Sequence, residues 1–268
     1  MALIVGPPVP TPLGAPQMPR VAHHASRFLL RLESVSVNNA SFSAILFDCD
    51  GVLVDSEPIT HGVLRDMLIE LGWAISEQET LERFVGKSFL DERRIIQEHT
   101  GHLIDEQWIE KFRVRRDAAL RAGLAPIPGA VEAVRQVAEA MGQNFACVSG
   151  ADRGKIEMQL GIVGLSGLFG DRIFSGMEMA RSKPAPDVYL AAAAALGVDP
   201  STTAVVEDSV AGIQSGVAAG ATVFAFAPIG RPYSPAAQLL AAGAHHVVES
   251  MTDLPSLLLD TSEWPKSA

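Results

Sequence analysis

The sequence has little of several features that define whole classes of protein. It holds two cysteines among 268 residues, Cys49 and Cys147, which are too few for a disulfide framework or a cysteine-based zinc site. No apolar run approaches the roughly 20 residues that a membrane-spanning helix needs. Acidic residues outnumber basic ones by 31 to 21, which argues against a nucleic-acid partner or an anionic membrane surface. We therefore expect a cytoplasmic monomer or homodimer with no membrane or nucleic-acid partner.

The first 42 residues differ in composition from the rest of the chain. Six prolines precede Arg20 and no charged residue does. This stretch also lacks the basic start and the long apolar centre of a secretory signal. We expect residues 1–42 to be a proline-rich, flexible extension that takes no part in the function.

From residue 43 onward, strand and helix patterns alternate. Apolar runs at 43–47, 145–148, 203–206 and 221–226 predict buried strands, and a helical pattern follows each of the first three. Alternation of this kind predicts an α/β fold, in which helices cover both faces of a parallel sheet. Between residues 58 and 122 no convincing strand interrupts the helical patterns, so an inserted block of helices is expected there.

The most informative stretch is residues 45–52, whose sequence is ILFDCDGV. Alternate side chains of a strand lie on one face, so Asp48 and Asp50 are predicted to converge on one point as the strand ends. Two carboxylates about 4 Å apart repel by roughly 1 to 4 kcal/mol, and Mg²⁺ between them would remove that repulsion. Gly51 is predicted to let the backbone turn and to bring bare amides close to a ligand. An acidic turn that closes a buried strand is the alternative.

Two further segments carry groups that suit an anionic ligand. Ser149 and Gly150 end a predicted strand just before a helix capped by Asp152, and helix N-termini attract anions through their free amides. Lys183 lies in a proline-stiffened loop, SKPAPD, which suits a point charge directed at a phosphate. Ser149, Gly150 and Lys183 are therefore predicted substrate contacts. Taken alone, a Ser-Gly turn and a surface lysine are the alternatives.

A second acidic pair, Glu207 and Asp208, follows the predicted strand at 203–206. Together with Asp48 and the Asp50 backbone, these acids would complete a shell of oxygen ligands for Mg²⁺. A helix cap is the alternative, but it explains one residue and not the pair. Ligands of open parallel sheets bind beyond the carboxyl ends of the strands, where these acids are expected to lie. The sequence therefore predicts an acidic site at one edge of the sheet.

These four segments, in the order DxDG, Ser, Lys and Glu-Asp, resemble the haloacid dehalogenase-like superfamily in its phosphatase and phosphomutase branch. The stretches FDCDGVLVDSE (47–57) and EDSVAG (207–212) carry the resemblance, which covers roughly residues 43–250. The resemblance implies a Rossmann-like catalytic core and a small mobile helical cap domain. The core would comprise residues 43–57 and 126–268, and the cap residues 58–125.

The resemblance also implies catalytic roles. Asp48 would be the nucleophile that forms an aspartyl-phosphate, and Asp50 the general acid and then the general base. Ser149 and Lys183 would hold the phosphoryl oxygens and neutralise their charge, because phosphoryl transfer depends mostly on positioning and charge neutralisation. Gly51 would lie beside the substrate.

The same resemblance implies a metal site and narrows the reaction. Mg²⁺ would be bound by Asp48, the Asp50 carbonyl, and Glu207 or Asp208, and the division between the last two is left open. Dehalogenases of the superfamily do not use an acid at the position of Asp50. Phosphonatases have a different first motif and a cap lysine that forms an imine. We therefore expect a phosphoric monoester hydrolase.

The cap is expected to set substrate choice, because it closes over the site. Residues 84–88, FVGKS, resemble the cap specificity loop of the family, and Gly86 and Lys87 are predicted to contact the substrate. β-Phosphoglucomutases have a lysine before that glycine and an arginine three residues after it, where this chain has Val85 and Phe89. The cationic side chains that would bind a second phosphate are therefore missing at these two positions. Their absence favours hydrolysis of a small phosphorylated sugar, sugar alcohol or organic acid.

Two other functions stay open at this point. A β-phosphoglucomutase-like phosphosugar mutase would pass the phosphoryl group to a sugar phosphate instead of water. A catalytically silent binding or regulatory protein would use the same cleft without turnover, although every motif residue is present.

Overall fold

The structure, a computed structural model, describes residues 42–85 and 92–259. Its strands are β1 (Ala44–Phe47), β2 (Phe145–Ser149), β3 (Ile173–Ser175), β4 (Thr203–Glu207), β5 (Thr222–Phe226) and β6 (His246–Val248). Its helices are α1 (Glu57–Glu70), α2 (Glu77–Phe84), α3 (Arg93–Thr100), α4 (Glu106–Gly123), α5 (Ala130–Met141), α6 (Arg153–Ile162), α7 (Ser166–Phe169), α8 (Asp187–Leu196), α9 (Val210–Ala218), α10 (Ala236–Ala241) and α11 (Leu254–Leu259).

Within the described residues, the strands form one parallel sheet in the order β3-β2-β1-β4-β5-β6. This arrangement confirms the predicted α/β class and its Rossmann-like parallel sheet. From β1 the chain builds outward through β2 to β3, and it then returns to the other side of β1 for β4, β5 and β6. The strand order thus reverses between β1 and β4, the position at which open α/β sheets bind their ligands.

Strand β1 shows why helices must cover both faces of the sheet. Ile45 and Phe47 belong to one apolar cluster, whereas Leu46 belongs to another. Val134 of α5 packs in the first cluster, and Ile213 of α9 packs in the second. Because alternate side chains of a strand face opposite sides, a continuous apolar strand is stable only when both sides are covered.

Helices α1 to α4 pack around a third apolar cluster, which includes Leu68, Ile96 and Phe112. We call these four helices the helical block. The sequence of residues 76–79, SEQE, predicts a capping box, and the start of α2 confirms it. The side chain of Ser76 accepts from the Glu79 amide, and the Glu79 carboxylate accepts from the Ser76 amide. The chain enters and leaves the block side by side, since Val54 and Pro126 form an antiparallel bridge.

Several predictions of local structure have a different outcome. Ser56, with Pro58 two residues later, has the sequence pattern of a helix cap and precedes α1, but its side chain makes no capping hydrogen bond. Ser88, where the sequence also predicts the start of a helix, lies outside the described residues, and α3 begins at Arg93. The short helices α7 and α10 were not predicted. Of the extension predicted for residues 1–42, residues 1–41 lie outside the described residues. Among the described helices, none has the length and apolar content needed to cross a membrane.

Candidate active site

Two neighbouring strands end in acids at the same edge of the sheet. Asp48 follows β1, while Glu207 ends β4 and Asp208 follows it. Phe47 is paired with Val206 across the two parallel strands, so the acids that come next leave the sheet side by side. One oxygen from each of the three carboxylates lies within 4.8 Å of the others, and all three residues are buried. We call Asp48, Glu207 and Asp208 the acid cluster.

Lys183 contacts the acid cluster directly. Its Nζ donates to Asp48 Oδ1 and to Glu207 Oε1, both at 2.7 Å, and to the Val148 carbonyl at 3.0 Å. Burial alone would lower the pKa of Lys183, but the charges of Asp48 and Glu207 outweigh burial and raise the pKa well above its ordinary value. Lys183 therefore stays protonated and places a positive charge at the carboxyl ends of the strands.

One lysine does not balance three buried carboxylates. Burial, together with the charges of Glu207 and Asp50, outweighs the opposing charge of Lys183 and raises the pKa of Asp48 to about 8. Burial and the charge of Glu207 also raise the pKa of Asp208 well above its ordinary value, against the opposing charge of Arg231. A bound cation offsets the repulsion between carboxylates that are costly to ionise together, and Mg²⁺ prefers oxygen ligands. The residues of this cluster fit a divalent cation.

The two acids after β4 differ in how many oxygen positions the protein already uses. Glu207 Oε1 accepts from Lys183 and from the Tyr189 hydroxyl at 3.0 Å. Glu207 Oε2 accepts from the backbone amides of Asp208 and Ser209 and from the Ser209 hydroxyl, at 3.0 to 3.1 Å. Asp208 takes one side-chain bond, from Arg231 Nη1 to Oδ2 at 2.8 Å, among the described residues. Asp208 therefore has more capacity left for a cation than Glu207.

Gly51 lies in the turn after β1. Its own amide donates to the Val54 carbonyl at 2.8 Å, and the contact of bare amides in this turn with a ligand stays a prediction. A Cβ on Gly51 would lie 1.9 Å from Asp208 Oδ2, and its φ of +76° is one that other residues rarely adopt. The Gly51 carbonyl accepts from Arg231 Nη2 at 2.9 Å. Gly51 and Arg231 therefore join the turn after β1 to the acid after β4.

Asp50 lies beside the cluster in a separate set of hydrogen bonds. Lys155 Nζ and Gln159 Nε2 each donate to Asp50 Oδ1 at 2.8 Å, and the Ser56 hydroxyl donates to the same oxygen. Burial alone would raise the pKa of Asp50, but the charge of Lys155 and the three hydrogen bonds outweigh burial and lower the pKa to about 2. Asp50 is therefore a carboxylate at neutral pH.

Ser149 and Gly150 lie at the carboxyl end of β2, as predicted. The Ser149 side chain is buried, and its oxygen accepts from the Ala151 amide at 3.1 Å, which leaves its hydroxyl proton for another partner. Both residues line one cavity of about 540 Å³ together with Asp48, Asp50 and Lys183. A volume of this size suits a small-molecule ligand.

The helical block supplies the opposite wall of the cavity. This wall combines apolar side chains, such as Leu64, Phe84 and Phe112, with polar and charged ones. The polar and charged residues are Glu57, Thr60, His61, Arg113 and Arg116. The predicted loop residues Gly86 and Lys87 lie outside the described residues, so their contact with a substrate stays a prediction.

Sequence reasoning missed the residues that support the acids. Lys155, Gln159 and Arg231 each bond to one of the predicted carboxylates, and none was predicted. Lys155 and Gln159 are four residues apart on α6, the helix that follows Ser149, and this i, i+4 spacing could have indicated a shared polar face. No comparable signal precedes Arg231, which lies in the loop between β5 and α10.

Comparison with known proteins agrees with this arrangement. The sequence profile described as "haloacid dehalogenase-like hydrolase" matches residues 42–220. The 6-phosphogluconate phosphatase of Escherichia coli is 33% identical over 184 residues, which cover 68% of this chain and 81% of that protein. Hexitol phosphatase B of Escherichia coli is 33% identical over 179 residues, which cover 66% of this chain and 79% of that protein.

A solved structure is similar over most of the chain. The HAD family hydrolase of Deinococcus radiodurans, crystallised with bound phosphate and sodium, is 33% identical and superposes with a TM-score of 0.70. The match covers 85% of this chain and all of that one. This chain therefore belongs to the haloacid dehalogenase-like hydrolases, and within them to the phosphoric monoester hydrolases.

Proposed function

We propose that this enzyme is a Mg²⁺-dependent phosphatase that hydrolyses a small phosphorylated sugar acid or sugar alcohol through an aspartyl-phosphate on Asp48. The observation that carries the proposal is the contact between Asp48 and Lys183, 2.7 Å apart within a cluster of acids that lines the same cavity as Asp50 and Ser149. Such a site offers a nucleophile, a cation, a hydroxyl donor and a second carboxylate to one phosphate group.

In the first step, a carboxylate oxygen of Asp48 attacks the substrate phosphorus. A bond from phosphorus to Asp48 forms as the ester bond breaks, and Asp50 gives a proton to the departing alkoxide. The low pKa of Asp50 favours its carboxylate form, but the approach of a phosphate dianion, which is a like charge, favours its protonated form. Lys183 and the Ser149 hydroxyl neutralise the charge on the phosphoryl oxygens.

In the second step, water replaces Asp48 on phosphorus. Asp50 accepts a proton from that water, the water oxygen bonds to phosphorus, and the bond to Asp48 breaks. Inorganic phosphate leaves and the Asp48 carboxylate is restored. The same side chain thus gives a proton in one step and takes one in the next.

Mg²⁺ would be held by Asp48, the Asp50 carbonyl and Asp208. We prefer Asp208 to Glu207 because the oxygens of Glu207 already accept five hydrogen bonds from the protein. Bound there, Mg²⁺ would supply positive charge for the phosphoryl oxygens. Glu207 would instead hold Lys183 in place.

The two walls of the cavity support the proposed substrate class. Residues 58–125 would form the cap that covers the phosphate site, with apolar side chains and the charge of Arg113 facing the rest of the substrate. Arg116 is already paired with Asp117 and Asp152. Relatives named for 6-phosphogluconate and hexitol phosphates support a polyol or sugar-acid phosphate of similar size.

The test is phosphate release from a panel of phosphorylated sugars, sugar acids and sugar alcohols, with Mg²⁺ and with EDTA. We expect Asp48→Asn to lower kcat by at least about 1,000-fold, because it removes the nucleophile without changing the side-chain shape. Asp171→Asn, at an exposed aspartate, is the matched control and should keep full activity. Activity that persists in Asp48→Asn or in EDTA would contradict the proposal. Transfer of the phosphoryl group to a sugar phosphate, with no free phosphate, would indicate a mutase.

A further inference from the structure

Helix α6 presents two polar side chains to Asp50. Lys155 and Gln159 are one turn apart on this helix, and both are buried, with 7% and 0% of their surfaces exposed. A buried lysine is costly unless its charge is paired, and Lys155 is paired with Asp50 at 2.8 Å. The proposed phosphatase mechanism uses Asp50 but assigns nothing to Lys155 or Gln159.

The hydrogen bonds to Asp50 are all on one of its two oxygens. Lys155, Gln159 and Ser56 each donate to Oδ1. Over residues 42–85 and 92–259, no side-chain donor to Oδ2 is found, and Asp50 lines the cavity. Three donors on Oδ1 fix the carboxylate plane and leave Oδ2 for a proton transfer in the cavity.

Both donors of α6 are themselves held in place. The Cys49 thiol donates to Gln159 Oε1 at 3.6 Å, which directs the amide nitrogen of Gln159 to Asp50. The carboxylate of Asp152 caps the Lys155 amide at 2.9 Å and also accepts from Arg116 of the helical block at 3.3 Å. The Gln159 side chain is thus oriented by Cys49 in the core. The turn of α6 that carries Lys155 is fixed by Asp152, which also bonds to the opposite wall.

We propose that Lys155 and Gln159 are positioning residues, which hold Asp50 through Oδ1 so that Oδ2 accepts the proton of the water that hydrolyses the aspartyl-phosphate. The inference rests on the proposed function of Asp48 and Asp50. In this step a water O–H bond breaks, its proton goes to Oδ2, its oxygen bonds to phosphorus, and the bond from phosphorus to Asp48 breaks.

The experiment separates the two steps with p-nitrophenyl phosphate. Its leaving group needs no proton, so the first step is independent of Asp50, whereas the second step still needs a base. We expect Lys155→Met to lower steady-state kcat by about 100-fold, which lies at the low end of the effect of general acid–base groups. A rapid burst of about one p-nitrophenolate per active site should precede this slow phase. Gln159→Met should give the same burst with a kcat loss of about tenfold.

A double-mutant cycle then tests whether Lys155 acts through Asp50. We expect Asp50→Asn to show the burst as well, and the added Lys155→Met change to alter kcat by less than about threefold in that background. Lys155→Arg keeps a charged donor and should recover part of the loss. Lys111→Met, at an exposed lysine of α4, is the matched control and should behave like wild type.

The outcomes distinguish this inference from the function on which it rests. Losses that multiply in the double variant, or a burst whose rate falls together with kcat, would overturn the positioning role and leave the phosphatase proposal intact. Full turnover in Asp50→Asn would overturn the positioning role together with the role of Asp50 as general base. Loss of activity in Asp48→Asn would still support the phosphatase proposal. If Lys155→Met does not fold, Gln159→Met and its double variant with Asp50→Asn decide the question, because Gln159 carries no charge.

Discussion

The two walls of the cavity are built from different kinds of interaction. At the edge of the sheet, ionisable side chains are buried and bonded to one another, as in the pairs of Lys183 with Asp48 and Lys155 with Asp50. In the helical block, many charged pairs lie on the surface. Arg94 and Glu98, for example, are 80% and 54% exposed. Buried pairs are costly to break, whereas exposed pairs contribute little.

Because of this difference, substitutions in the two walls should have different effects. A change at the edge of the sheet leaves an unpaired charge in the core and affects both stability and chemistry. Most side chains of the helical block do not bond to the acids, although Arg116 reaches Asp152 on the opposite wall at 3.3 Å. If the helical block contacts the distal part of a substrate as proposed, substitutions there should alter substrate choice more than the reaction.

The largest expected effect is at Lys183. Lys183→Met should lower the free energy of unfolding by about 3–5 kcal/mol in EDTA, because Asp48 and Glu207 lose their shared buried cation. Urea unfolding followed by circular dichroism measures the change. Added Mg²⁺ should recover part of it, since a divalent cation would occupy the same cluster. Equal stability of the variant and wild type in EDTA would show that the acids are not held by this charge.

A smaller effect on activity is expected at Arg113, in the opposite wall. Within the described residues its ion pair with Glu110 is long, at 3.7 Å, so its charge is open to a substrate group. Arg113→Met should raise KM about tenfold, with little change in kcat, for whichever phosphorylated compound of the panel is hydrolysed, because the lost contact is equal in the ground and transition states. Arg94→Met, on an exposed pair, is the control. A fall in kcat with constant KM would place Arg113 in the chemistry instead.

The smallest effect is a pH-dependent change in stability at His61. Burial would lower the pKa of His61, but the charge and hydrogen bonds of Glu57 outweigh burial and raise it. The folded pKa then exceeds the unfolded one, so the stabilisation is complete below about pH 6.5 and is lost as pH rises through the folded value. Glu57→Gln should therefore lose about 1 kcal/mol at pH 5.5 and much less at pH 9, measured by urea unfolding.

The control for this prediction is the same substitution in a His61→Gln background. In that background, the loss of unfolding free energy caused by Glu57→Gln should no longer depend on pH between 5.5 and 9. In the wild-type background, a loss that increased toward pH 9 would contradict the direction of the pKa shift of His61.

The sheet and its acidic edge could be predicted because a physical rule links each to the sequence. Strands covered on both faces must be apolar throughout, which made β1 and β4 visible as runs that end at Asp48 and Glu207. Parallel strands end at the same edge, so residues far apart in the chain were expected to meet there. No long-range contact had to be known in advance.

The supporting contacts could not be predicted, because each depends on a partner that is distant in sequence. Ser56 has the local pattern of a helix cap, but Asp50 is the acceptor that its hydroxyl reaches in the folded chain. Gly51 suggested an open amide, yet the close approach of Asp208 is what requires it. Local sequence patterns describe what a residue favours by itself, and the tertiary partner decides which of these preferences is used.

The missing side chain at position 51 has a consequence for how such enzymes are identified. The two loops that carry the acids touch each other only because nothing projects from that carbon toward Asp208. An alanine there would push the loops apart while every carboxylate, the lysine and the serine stayed in the sequence. A homologue can thus retain every reactive group and still be inactive. A glycine at position 51 should therefore be checked together with the acids when such enzymes are identified.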